Sequence, residues 1–228
     1  MEKKFILTDK FVINSFGIKL FQIKCTKSFK YAQKGDFGGY VEKEGNLDQE
    51  NDAWVFGNAR VFGNARVSSN ARVSGDAWVS DNARVSGDAW VSGDAWVSDN
   101  AWVSSNAWVF GDALVSGYAW VSGDARVFGN ARVSGDAWVS GNAWVSGDAD
   151  IENDNEHCGF DGFGSCNRHT HAYMTKEKKV EIICGCFRGS IEEFEKKVEE
   201  THSGTVYEKQ YKSIINVIKI KFGLTDFT

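Results

Sequence analysis

Residues Val85–Val109 read VSGDAWVSGDAWVSDNAWVSSNAWV. Trp90, Trp96, Trp102 and Trp108 recur at every sixth position. Ala precedes each of them and Val follows. No amphipathic helix repeats at six, because its apolar stripe returns at about 3.6 residues. Short strands do fit. Ala and Val are two apart, so they project to the same side of a strand, and the residue between them projects to the other. The pair Gly-Asp, Asp-Asn or Ser-Asn then turns the chain.

Outward from this stretch the pattern runs from Gly45 to Glu152, eighteen hexads in all. Every sixth residue from Ala53 to Ala149 is Ala, and every sixth from Val55 to Val145 is Val, with Ile151 next. A repeat this strict outweighs any other signal in the chain. Three hexads close a triangular coil, with Ala in the corner and Val lining the interior. Six coils stacked at strand spacing make a prism about 29 Å tall.

The motif V-S-G-D-A-W resembles the hexapeptide-repeat, left-handed parallel β-helix family, with Val at the aliphatic and Ala at the small position. Left-handed winding is implied by that resemblance, since parallel crossovers in general favour the other hand. KGDFGGYVEKEGNL and DAWVFGNARVFGNARV are similar to uncharacterised members common in bacteria and their phages, some with a provisional acetyltransferase label. CGCFRGSIEEFEKKVEETH looks like a small tail domain found on some of them. The expected fold is mainly β: a six-coil helix at 45–152, an N-terminal β cap at 1–44 and a C-terminal ββαα domain at 153–228.

All nine Trp and six Arg occupy the outward position between Ala and Val. With three hexads to a coil they form three ladders. Face one carries Trp54, Arg72, Trp90, Trp108, Arg126 and Trp144. Face two carries Arg60, Trp78, Trp96, Leu114, Arg132 and Asp150. Face three carries Arg66, Arg84, Trp102, Trp120 and Trp138. Phe56, Phe110 and Phe128 stand beside face one and Phe62 beside face two. Soluble monomers rarely expose so much contiguous apolar surface. Trp and Arg are favoured interface residues, and hexapeptide β-helices commonly form trimers about an axis parallel to the prism, so a homotrimer is expected. A second reading makes the ladders a ligand surface, in which indole faces stack on planar bases and Arg forks take phosphates. The ligand would then be a small anionic aromatic molecule such as a nucleotide. A phage-type member could sequester such a signal made by host defence. Sugar rings are a further option for the indoles.

Composition narrows the partners. Net charge is −5, and the repeat holds 6 Arg against 14 Asp and Glu with no Lys, which disfavours a long nucleic acid. No apolar run is long enough to span a bilayer and no secretory leader is evident, so a cytoplasmic location in a bacterium or phage-infected bacterium is expected. Proline is absent, leaving the turns to Gly, Asn and Asp. The corner carboxylates could bind calcium between coils, but Asn and Asp alternate freely there, as turn chemistry alone requires.

The resemblance raises acyl transfer, which in that family uses a His base on a coil or an extruded loop. The repeat has neither a His nor an insertion; the four His are His157, His169, His171 and His202. A non-catalytic binding or assembly protein is therefore the leading reading. An acyltransferase served by His157 at the prism base and a pure scaffold are the alternatives. No cofactor is expected, with one exception. Strands at 167–175 and 180–187, joined by a hairpin centred between Glu177 and Lys178, would pair His171 with Cys184 and His169 with Cys186. That would be a tetrahedral zinc set. Ser190 to Glu193 and Thr205 to Glu208 read as capping boxes opening two helices. Cys25, Cys158, Cys166, Cys184 and Cys186 read as thiols or metal ligands, not as a disulfide frame.

Overall fold

The computed structural model describes residues 2–224. Seventeen short strands, from β4 (Trp54–Val55) to β20 (Asp150–Ile151), follow one another, one to each hexad from the second onward. Strands three hexads apart pair in parallel: Trp90 with Trp108, Trp96 with Leu114, Trp102 with Trp120. Three parallel sheets result, one per face of the prism. The protein is a β-solenoid of about six turns, as three short strands to the coil require.

The hexad explains this geometry position by position. Ala and Val are sealed inside along the whole column. The residue after the Val–Ser pair takes left-handed backbone at each corner, usually as Gly, such as Gly75 at φ 69° and Gly93 at φ 70°. Ser69, Asp81, Asp99 and Ser105 take the same conformation at four corners. The side chains one position on join successive coils: Asn64 donates to Asn82 (3.3 Å), Asn82 to Asn100 (3.2 Å) and Asn106 to Asp124 (3.0 Å).

The first hexad does not start where the sequence pattern placed it. Leu47 pairs with Val67, and Tyr40–Val41 pair with Arg60–Val61. Each of these partners lies two positions further along the chain than three hexads would bring it. The chain therefore holds a two-position insertion before Trp54, and the solenoid begins within β3 (Phe37–Val41). Gly39 is needed there, because a Cβ would come within 2.7 Å of the Ala59 carbonyl oxygen.

The expected hairpin at the N-terminus is present as β1 (Phe5–Ile13) and β2 (Lys19–Cys25). β2 pairs antiparallel with β3, so the cap prolongs the face-two sheet to nine strands. At the other end the strands number four, not two. β21 (His157–Phe163), β22 (Arg168–Met174), β23 (Val180–Cys184) and β24 (Phe187–Ser190) form one antiparallel sheet. Helices α1 (Ile191–His202) and α2 (Val206–Lys221) cover one side of it. The other side closes the solenoid: Tyr173 and Ile183 join the solenoid core, and Lys176 N–H donates to the Asp148 carbonyl (2.9 Å). Ser190 and Glu193 form the full capping box. Thr205 caps α2 by accepting from Glu208 N–H, but the Glu208 carboxylate turns to Gly204 N–H (2.7 Å), so the second box is half-formed.

Candidate binding surface

The Trp and Arg side chains project from the solenoid as their position between Ala and Val requires, yet the three ladders end up in different surroundings. Trp54 is 1% exposed, walled in by Phe5 and Phe29 of the cap with ring centroids at 6.3 and 5.3 Å. It is a core residue, not a free rung of face one. Arg72 above it lies between the Tyr31 ring (5.4 Å) and the Trp90 ring (4.6 Å). Arg126 lies between Trp108 and Trp144, at 5.1 Å from each. Such guanidinium–indole contacts hold about 0.5–1 kcal/mol each at an exposed site. The buried Nε atoms of Arg60 and Arg72 have no hydrogen-bond partner among the described residues, and their guanidinium groups lie over Trp78 (5.2 Å) and Trp90 (4.6 Å).

On face two the turn between β1 and β2 reaches over the ladder. Phe16 sits 6.1 Å from Phe62, 6.1 Å from Trp78 and 6.5 Å from Trp96. The lower half of that ladder is thus partly covered by the chain itself.

Face three differs from both. Trp102, Trp120 and Trp138 stack with centroids 5.1 Å apart and interplanar angles of 6° and 4°. They are 38%, 36% and 51% exposed, and Arg66 and Arg84 continue the ladder as exposed side chains. No carboxylate pairs with either arginine among the described residues.

A feature of the hexad that pattern reading missed fixes the indoles. An indole N–H finds a Ser hydroxyl on the preceding coil. Trp90 donates to Ser74 (2.9 Å), Trp96 to Ser80 (3.1 Å), Trp102 to Ser86 (3.0 Å), Trp120 to Ser104 (3.0 Å) and Trp138 to Ser122 (3.5 Å). Ser80, Ser104 and Ser122 are buried beneath the rings. The signal was present in the sequence as Ser after Val. Where Phe replaces that Ser, the outward residue of the next coil meets a ring instead: Phe62 packs on Trp78 (5.8 Å) and Phe128 on Trp144 (6.4 Å). The stacked rings of face three turn their π-faces to one another, so what they present outward is a row of indole edges.

The histidines gather at the base of the prism without forming the expected zinc set. β22 and β23 pair Thr170 with Cys184 and His171 with Ile183, one residue off the expected register. Lys176, Glu177 and Lys178 make the loop, with Lys178 at φ 56°, and this odd length centres the hairpin on Glu177. A one-residue slip sends alternate side chains to opposite faces. Cys184 therefore packs on the helices and accepts from Thr170 Oγ1 (3.3 Å), whereas His171 faces the solenoid. Cys186 lies beyond the strand in the turn, and His169 bonds through Nδ1 to Asp161 (2.8 Å). No cluster of three or more His, Cys, Asp or Glu is placed to hold a metal among the described residues.

His171 Nδ1 donates to the Trp144 carbonyl (2.9 Å), and its Nε2 accepts from His157 Nδ1 (3.1 Å). Burial drives its pKa down to about 3, and burial lowers that of His157 as well. His157 is thus engaged in closing the prism. Among the described residues no helix is long and apolar enough to cross a membrane.

These features define the class: a β-solenoid repeat protein whose outward rungs are aromatic and cationic. Consistent with this, residues 65–81, 77–93 and 125–141 match the YdcK beta solenoid repeat. No curated protein matches the sequence.

Proposed function

We propose that the protein is a non-catalytic assembly module that docks through face three, three copies packing about an axis parallel to the prism. The observation that carries this reading is the contrast between faces. The chain covers its own aromatic rungs on the cap-proximal parts of faces one and two; Trp96 and Trp108 are exposed as well, but only Trp102, Trp120 and Trp138 make a flat column of three parallel rings. Indole edges beside exposed guanidinium groups make an interface core of the usual composition.

Charge supports a second copy as the occupant. Arg66 and Arg84 lack a carboxylate partner in their own chain among the described residues. The corners flanking face three carry Asp81 and Asp99 one coil apart on one side, and Asp88 and Asp124 two coils apart on the other, all exposed. Arg66 and Arg84 on one copy and Asp81 and Asp99 on the next repeat at the same one-coil interval, so two pairs can form at once. The two surfaces adjoin on each copy, which suits a closed ring; surfaces on opposite sides would generate a filament. A flat nucleobase has less to gain, because the indole faces it would stack on are occupied by neighbouring indoles.

Sedimentation velocity of the full chain at micromolar concentration tests the reading. The wild type is expected at three times the chain mass and Trp120→Glu at the chain mass, both with unchanged far-ultraviolet circular dichroism. A wild type that sediments as a single chain overturns it.

A further inference from the structure

A second surface, independent of the ladders, lies in the C-terminal domain between the sheet and the helices. It is a cleft of about 230 Å³ to which Cys166, Cys184 and Cys186 all contribute. Cys166 and Cys186 are exposed; Cys184 is buried and already accepts from Thr170. The cleft is floored by Phe187 and Phe194 and rimmed by Arg168, Lys197 and His202, and no Asp or Glu among the described residues lines it. In a chain of net charge −5, an opening whose charged lining residues are Arg168 and Lys197 is a departure that asks for a cause.

The backbone is shaped around these groups. A methyl at Gly185, the middle residue of Cys184-Gly185-Cys186, would overlap the Arg168 guanidinium, and one at Gly164 would overlap the Tyr211 hydroxyl. Both glycines have positive φ, 61° and 73°. Arg168 is thereby laid across the turn. The negative charge of thiolates at Cys166 and Cys186 raises its pKa, with Cys166 the larger influence. Arg168 makes no ion pair with a carboxylate among the described residues. Lys197 reaches Glu200 at 3.5 Å on α1, leaving Arg168 as the rim cation without an acidic partner among the described residues. Burial raises the pKa of Cys25 and pushes that of Cys158 up to about 11, which makes both poorer nucleophiles than an ordinary thiol.

We propose that this cleft is an S-thiolation site, where Cys166 or Cys186 exchanges with the disulfide of a small thiol that carries carboxylates. The carboxylates are received by Arg168, and the apolar floor takes the aliphatic part of the ligand. The protein thiolate attacks one sulfur of the disulfide; the protein–ligand S–S bond forms as the original S–S bond breaks. The electron pair leaves on the departing small thiolate, and the proton shed by the protein thiol goes to solvent. No external oxidant is required, and a second thiol reverses the step by the same route.

Three disulfides of different charge read this out on the full chain: oxidised glutathione (anionic), 2-hydroxyethyl disulfide (neutral) and cystamine (cationic). Intact mass and peptide mapping locate the adduct and give its rate. The expected result is an adduct at Cys166 or Cys186, with the anionic disulfide about tenfold faster than the cationic one once intrinsic rates are normalised against a free cysteine peptide. Arg168→Met is expected to abolish that preference and Arg168→Lys to retain most of it. Cys166→Ser with Cys186→Ser should leave the protein unmodified. No adduct, an adduct confined to Cys25 or Cys158, or a charge order that survives Arg168→Met would overturn the proposal.

Discussion

The hydrogen bond between an indole and the serine of the coil before it can be weighed directly at Trp120. This residue stacks on Trp102 and Trp138, both at 5.1 Å, and donates to Ser104 Oγ at 3.0 Å. Each aromatic pair contributes about 0.5–1.5 kcal/mol beyond area burial, and the hydrogen bond about 0.5–1.5 kcal/mol net. Trp120→Ala, which removes all three, is therefore expected to cost about 2–4 kcal/mol. Trp120→Phe keeps two stacks and loses only the N–H; Ser104→Ala keeps the rings and loses only the acceptor. Each should cost about 1 kcal/mol, and the double substitution about 1 kcal/mol as well, because the same bond is absent in all three. The double-mutant cycle then returns a coupling of about 1 kcal/mol. Urea titrations on the full chain at nanomolar concentration, where subunit contacts do not contribute, compared at constant m, measure it. Additive single costs, with coupling below about 0.3 kcal/mol, would show that Ser104 does not hold the indole and would remove the physical reason for Ser after Val.

Two further outcomes follow from other parts of the molecule. His171 has a folded pKa of about 3 against an ordinary value of 6.5. The unfolded chain therefore binds a proton that the folded chain refuses between those limits, and stability falls as pH drops from 6.5 toward 3. At pH 5 the loss from this residue is about 2 kcal/mol relative to pH 7, and His171→Gln should flatten that slope in denaturant titrations followed at both pH values. At the corners, Gly87 has φ 68° and a Cβ there would sit 2.8 Å from Ser105 N, whereas Gly141 has φ 64° and open space around it. Gly141→Ala should cost only the left-handed penalty, about 1–2 kcal/mol. Gly87→Ala should cost more, and equal losses would show that contact between coils is not what constrains the corner.

What could be read from the chain and what could not divides along one physical line. Within the repeat, each rung bonds to an equivalent rung three hexads away, so a single hexad fixes its own partners and the interior Ala–Val column follows. The ladder assignments of Trp90–Trp108, Trp102–Trp120 and Arg126–Trp144 hold for that reason. The burial of Trp54 depends on Phe5 and Phe29, and the half-covering of face two depends on Phe16; these contacts join segments with no shared period. Nothing in the spacing of the hexads announces them. The hairpin at β22–β23 was misread for a local reason. Its register hangs on whether the loop is odd or even, and Lys178, in a left-handed conformation, gave no glycine to mark the turn. That one residue decided whether His171 met Cys184, and with it the zinc set. Strand β21 went unread because Gly159 and Gly162 interrupt its alternation; Gly159 is there because the His169 ring lies against it.

Hydroxyl-radical oxidation of tryptophan, mapped residue by residue at nanomolar and micromolar protein, bears most directly on the central claim that face three is the docking surface. The account predicts that Trp102, Trp120 and Trp138 become protected together as concentration rises, while Trp54 stays unreactive at both concentrations. Oxidation of those three that is the same at either concentration, or protection that appears instead on Trp96 and Trp108, would contradict it.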